Sequence, residues 1–225
     1  PELSGDVAVE NLAFLHQKLD PKTHDLVDDG IEEVYGKLTF KQHGMRFENV
    51  IGQLHQVPFQ LTGGVDYQKK VFNQLHFVTN ALSLNDLRLT LLHLDSIFPM
   101  NLPPLVRQMV MDGRLAMDVT LNDTFEKPDL RGFLVLSALN VYPYGQPHAA
   151  WIRDTQGKVR LNGETVELTS LETYVNGQPL KLSGQVNLKN QTYQLKSNNQ
   201  ALVLEKLSEA FQTLALPALE KNGVL

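Results

Sequence analysis

Cysteine is absent from the 225 residues. That excludes a disulfide framework, a thiolate metal site and a cysteine nucleophile. Long apolar runs are missing as well. None approaches the roughly 18 residues a helix needs to cross a bilayer, and no charged start followed by an apolar core marks a signal peptide. Basic blocks are lacking too. Lys and Arg number 20 against 25 Asp and Glu, a formal net charge of −5, and they are spread along the chain. Nucleic acid is therefore not an expected partner. The single tryptophan, Trp151, stands where a strand is expected to start and reads as a packing anchor.

Catalytic patterns are equally scarce. The seven histidines, His16, His24, His43, His55, His76, His93 and His148, form no HExxH or other close ligand spacing. The densest acidic run, Asp28-Asp29-Gly30-Ile31-Glu32-Glu33, does not place oxygens where a calcium loop needs them and reads as a solvated loop. There is no GxSxG elbow, P-loop or GxGxxG. Gly63-Gly64 suits a bulge or tight turn better than a phosphate cradle. The expectation is a chain that is not an enzyme, with no catalytic residue, metal or cofactor.

What the chain does contain is a repeat. Pro1-Glu2-Leu3-Ser4-Gly5 returns 127 residues later as Pro128-Asp129-Leu130-Arg131-Gly132. Gly36-Lys37-Leu38-Thr39-Phe40 returns as Gly157-Lys158-Val159-Arg160-Leu161, and Val57-Pro58-Phe59-Gln60-Leu61-Thr62-Gly63 as Gln178-Pro179-Leu180-Lys181-Leu182-Ser183-Gly184, both with an offset of 121. The first copy covers residues 1–127 and the second 128–225, continuous with each other. The first is longer in a Gln17–Asp29 loop around the turn-like Asp20-Pro21-Lys22-Thr23. Opening without Met inside a repeated motif, the chain reads as an internal piece of a longer protein. A module that recurs in the same internal order builds an extended surface rather than a pocket.

Within each copy the dominant period is two, the signature of strands with one apolar and one wet face. Short loops join the runs, with Asn162-Gly163 and Asn176-Gly177 as the clearest hairpin turns. The fold class is mainly β, a long curved antiparallel meander forming an open U-shaped groove, with short helices once per repeat. Leu82 to Leu94 carries both alternation and helical spacing. Pro103 to Met111 suits a short helix, and Leu204 to Leu214 an amphipathic one.

A sheet with one apolar face must cover it by closing into a barrel, by packing on a second sheet, or by curling into a trough filled by something apolar. Two features argue for the trough: the repeat begins and ends in mid-pattern, and the copies keep register, so their faces can join in one stripe. The candidate lining in the first copy is Leu38, Phe40, Met45, Phe47, Phe59, Leu61, Val65 and Tyr67. In the second it is Leu134, Leu136, Val159, Leu161, Val166, Leu168, Leu180, Leu182, Val186 and Leu188. Such a lining matches acyl chains, with each buried methylene contributing about 0.8 kcal/mol and no directional bond to select a head group.

The motifs Gly113-Arg114-Leu115, Asp118-Val119-Thr120-Leu121, Lys127 to Gly132, Ile152 to Val159 and Gly177 to Gly184 resemble those of the AsmA-like superfamily, the TamB-type proteins most of all. The resemblance spans nearly the whole chain. It implies a β-groove ("β-taco") bridge in the periplasm or plastid intermembrane space, anchored to the inner membrane by a segment outside this chain. It further implies transport of phospholipid toward the outer membrane, with adjacent repeats of the same chain as neighbours. TamB-type members also act with an outer-membrane barrel protein. The alternative function is therefore a β-augmentation scaffold for assembly or translocation of outer-membrane proteins.

Overall fold

The computed structural model describes residues 4–19, 26–97, 107, 109–143, 152–190 and 192–198. Among these residues the elements in order are β1 (Gly5–Leu19), β2 (Leu26–Lys41), β3 (Gly44–Leu54), β4 (Val57–Asp66), β5 (Val71–Ser83), α1 (Leu84–Ile97), β6 (Met109–Thr124), β7 (Pro128–Pro143), β8 (Ile152–Asn162), β9 (Thr165–Val175), β10 (Gln178–Asn187) and β11 (Thr192–Ser197). All strands belong to one antiparallel meander in chain order, β1 to β11, and the sheet does not close on itself. Among the described residues no second sheet lies on it.

Turn chemistry explains the hairpins. His55 and Gln56 join β3 to β4 with φ of 51° and 62°, and Asn176 and Gly177 join β9 to β10 with φ of 47° and 78°. Two left-handed residues in succession make the turn whose twist matches the flanking strands. The second copy meets the demand with Asn-Gly, whereas the first forces His-Gln into it at a steric cost of about 1 kcal/mol or more per residue. Gln56→Gly is therefore expected to stabilise the chain by about 0.5–1 kcal/mol, read as a higher urea midpoint.

Left-handed residues also occur inside strands, at Asn11, Glu33, Asn49, Gln74, Asp123, Ala138 and Asp154. At Asn11, Asn49 and Gln74 the ladder slips at that point: between Val9 and Leu12, between Phe47 and Val50, and opposite Thr62 to Gly64. These are β-bulges, one extra residue that re-aims the strand. They also carry the repeat into the backbone. Asn11 (φ 54°) and Ala138 (φ 52°) are 127 residues apart, and Glu33 and Asp154 (both φ 52°) are 121 apart. The bulge opposite Gly63 has a steric reason. With φ of 104°, an added Cβ on Gly63 would stand 2.0 Å from the Gln74 carbonyl oxygen.

The chain divides into two compact units. The first comprises Pro1–Leu82, Ala116–Leu134 and Leu161–Glu164, and the second Ser83–Leu115, Val135–Arg160 and Thr165–Leu225. Their boundaries cut across the two copies rather than between them. In the first unit Val34, Val50, Leu82 and Val119 are buried, and the buried Thr79 donates its hydroxyl to the Pro58 carbonyl at 3.0 Å. In the second unit Val141 packs with Met111, Leu139 and Ile152. There too α1 starts at a cap: the Asp86 amide donates to Ser83 Oγ at 3.3 Å, which places an acidic residue in the positive first turn. Leu84 and Arg88 are buried on it, and Arg88 Nη2 donates to the Arg107 carbonyl at 3.4 Å.

Several expectations need correction. Met109 to Met111 open β6 rather than ending a helix. The supposed Gln17–Asp29 loop is strand up to Leu19 and again from Leu26. The acidic run Asp28 to Glu33 accordingly lies within β2. The turn expected at Asn162-Gly163 falls one residue later, on Gly163 and Glu164, because Asn162 still belongs to β8. The turns at Gln42-His43 and His55-Gln56 contain neither Gly nor Asn. The Asp20-Pro21-Lys22-Thr23 turn, Pro103 and Pro104, Trp151 and the Leu204–Leu214 helix lie outside the described residues.

Candidate functional site

Alternation and register sort the side chains into two faces. In the first unit, Val7, Leu38 and Phe47 stand opposite one another across β1, β2 and β3. Phe40, Met45, Val65 and Phe72 form a second row across β2 to β5. Val50, Leu61 and Phe77 form a third across β3 to β5. Phe59 stacks on Phe77 with ring centroids 5.9 Å apart, and Phe72 meets Phe125 at 4.7 Å. Leu134, two residues beyond Gly132 in β7, is half-buried. Leu161 is half-buried at the end of β8.

In the second unit Leu171 and Leu182 pair across β9 and β10. Leu168 faces Gly184, which in turn faces Leu195, and Val166, Val186 and Tyr193 form the next row. Leu136 is half-buried, whereas Val159 and Leu180 are buried. The buried hydroxyls of Thr155 and Thr173 satisfy each other at 2.6 Å, so two polar atoms sit among apolar neighbours without an orphaned group.

Of the eighteen lining candidates, sixteen lie in strands. Tyr67 and Leu188 begin the turns at 67–70 and 188–190 and are 53% and 60% exposed, which separates them from the strand rows. Leu38, Phe40, Met45, Phe47, Phe59, Leu61 and Val65 are half-buried. They touch their sheet neighbours, yet among the described residues no second sheet seals them.

The other face is polar and laced with charge pairs. In the first unit Lys37 Nζ sits 2.7 Å from Asp6 Oδ2 and 3.9 Å from Glu48, Thr39 donates to Asp6, and His76 Nε2 lies 2.7 Å from Asp118 Oδ1. In the second, Lys181 Nζ lies 2.7 Å from Glu172 Oε1. Lys37 holds the Asp6 carboxyl below its ordinary range, and Lys181 does the same to Glu172. Both contributions are present above the usual carboxylate range and fade as pH falls through the lowered values. These exposed pairs define which side faces water rather than adding much stability.

Tyr142 donates to Asp112 Oδ2 at 2.6 Å, and this bond, with some burial, pushes its phenol up to about 12. A phenol that holds its proton more tightly when folded stabilises the fold fully below the unfolded value of about 10. That stabilisation disappears as pH rises toward about 12. Tyr142→Phe is expected to lower the urea midpoint at pH 8 and to flatten the decline that the native chain shows between about pH 10 and about 12.

Sequence reading missed Val50, Phe72, Phe77, Leu171, Tyr193 and Leu195 on these rows. The signal was present: apolar steps of three, such as Phe47 to Val50 and Leu168 to Leu171, mark the bulges at which strict alternation changes phase. Among the described residues no group of three His, Asp or Glu side chains could hold a metal ion, and no helix is long and apolar enough to cross a membrane. No family model, curated protein or solved structure matches this chain.

Proposed function

We propose that this chain is a segment of an AsmA-like, TamB-type bridge whose apolar sheet face carries phospholipid acyl chains between the inner and outer membranes of an envelope. The observation that carries the reading is the unsealed apolar face: rows of half-buried Leu, Phe, Met and Val on one side of a single open sheet, with the charge pairs on the other. Leaving such a face in water is unfavourable by roughly 25 cal/mol per Å². An acyl chain relieves that penalty without directional bonds, and equivalent rows let it move without a deep trap. The side chains keep water from the lipid tails and perform no covalent chemistry. The site of action is the periplasm or its plastid equivalent. Purified chain is expected to retain phospholipid, detected by native mass spectrometry and solvent extraction. A preparation that folds, carries no lipid and takes none from vesicles would leave the face as a scaffold surface and end this reading.

A further inference from the structure

We infer that the polar face of β9, β10 and β11 is a binding site for a short, neutral saccharide. The inference starts from register. Glu167, Gln185 and Gln194 stand opposite one another across the three strands, and Thr165, Asn187 and Thr192 form the next row on the same face. Ser183 and Lys196 pair in a third row, which Thr169 joins two residues beyond Glu167. Every one of these side chains can hydrogen-bond. An open depression of about 600 Å³ lies among Glu167, Thr169, Ser183, Gln185, Gln194 and Lys196. A second, of about 270 Å³, shares Gln185 and Gln194 with it and reaches Thr165, Asn187 and Thr192. The ladder slips between Leu182 and Gly184, and Gly184, which has no side chain, lies in the floor of the larger depression.

The lining selects the ligand. Its polar side chains set one carboxylate, Glu167, against one ammonium, Lys196, so neither sign of charge is favoured. The other four are amides and hydroxyls. Gln185 Nε2 donates to Gln194 Oε1 at 3.4 Å. That bond uses one group of each amide, so the pair still carries Gln185 Oε1 as an acceptor and Gln194 Nε2 as a donor. With Glu167 accepting beside them, the row sets acceptors next to a donor. Adjacent hydroxyls, each donor and acceptor at once, satisfy such a row. A hydrocarbon would leave the same groups unpaired, and an added peptide strand would find the backbone groups already used in the ladders. The repeat supplies the contrast. Gly44, Arg46, Glu48, Gly64 and Asp66 are the first-copy counterparts of Thr165, Glu167, Thr169, Gln185 and Asn187. Two of them have no side chain, and Arg46 Nε lies 3.6 Å from Glu48 Oε1. The same strands form without amides and hydroxyls there, so the fold does not demand them in the second copy. The inference does not rest on the acyl-chain reading, which concerns the opposite face of these strands.

The test titrates the full chain, labelled with nitrogen-15, with maltotetraose, cellotetraose and chitotetraose. The side-chain amide resonances of Gln185 and Gln194, identified by their loss in Gln185→Ala and Gln194→Ala, report the site directly. The expected result is a saturable shift of both with at least one of these sugars, at a dissociation constant of about 1 mM or below. The double alanine variant should weaken that binding about ten-fold, read by calorimetry, with its urea midpoint in place. If that midpoint moves, Glu167→Gln, which keeps the side chain's shape, supplies the comparison and should also weaken binding. Inorganic phosphate should leave both amide resonances where they are. No shift with any of the three sugars, undiminished affinity in the variant that keeps its midpoint, or a response to phosphate in place of sugar would each overturn the proposal.

Discussion

Gly63→Val is expected to destabilise the chain by about 3–5 kcal/mol, and Gly184→Val, its second-copy counterpart, by a similar amount. Both positions combine two penalties. Their φ values, 104° and 135°, lie where an L side chain is strained, and the new Cβ would stand 2.0 Å from the carbonyl oxygen of Gln74 or of Gln194. The obstacle is backbone in a paired strand, so no rotamer change clears it. The neighbouring strand must move, and hydrogen bonds of the β4 and β5 or β10 and β11 ladders go with it. Urea denaturation followed by circular dichroism measures the loss. Gly5 is the internal comparison, since nothing meets its Cβ position within 4 Å. A Gly63→Val chain unfolding at the native midpoint would show that the close approach is not required.

Loss of bound phospholipid, by at least ten-fold, is the expected outcome of placing three carboxylates on the apolar rows with Leu38→Asp, Leu61→Asp and Leu182→Asp. An ionised carboxylate cannot keep its hydration while an acyl chain lies against it, and burying it unpaired is unfavourable by several kcal/mol. The three sites are half-buried, so the variant is expected to fold, unlike one altered at the buried Leu180 or Val159. Tyr35→Asp with Ile51→Asp makes the comparison on the opposite face. That cross-strand pair is 43% and 49% exposed, and its replacement should leave lipid retention unchanged. Equal lipid content in both variants would show that the apolar rows do not hold the acyl chains.

The strands and their order were legible in the amino-acid sequence because alternation and the 127- and 121-residue offsets are direct images of pleat and repeat. Val57 to Gly63 illustrates this, with Phe59 and Leu61 on one face and a glycine at the point where β5 closes in. Phase was less legible. Beyond Phe47 the apolar face passes to Val50, Gly52 and Leu54, a slip that only the bulge at Asn49 explains. The helix was ambiguous because Leu82 to Leu94 satisfies both periods. The Ser83-to-Asp86 spacing is the cap that decides for a helix from Leu84. Which glycines face backbone could not be read at all, since that depends on pairing between distant strands.

Because each strand is bonded only to its predecessor and successor, assembly resembles closing a zipper. Apart from the 84–108 connection between β5 and β6, the loops to be closed stay short, a topology that favours rapid folding. The same wiring governs how such a chain can change over generations. A hairpin can be duplicated or removed as a whole, leaving the flanking ladders a compatible neighbour. A single inserted residue must instead be absorbed as a kink in one ladder. The span of the sheet is thus adjustable in steps of two strands, while the chemistry of its faces is inherited unchanged.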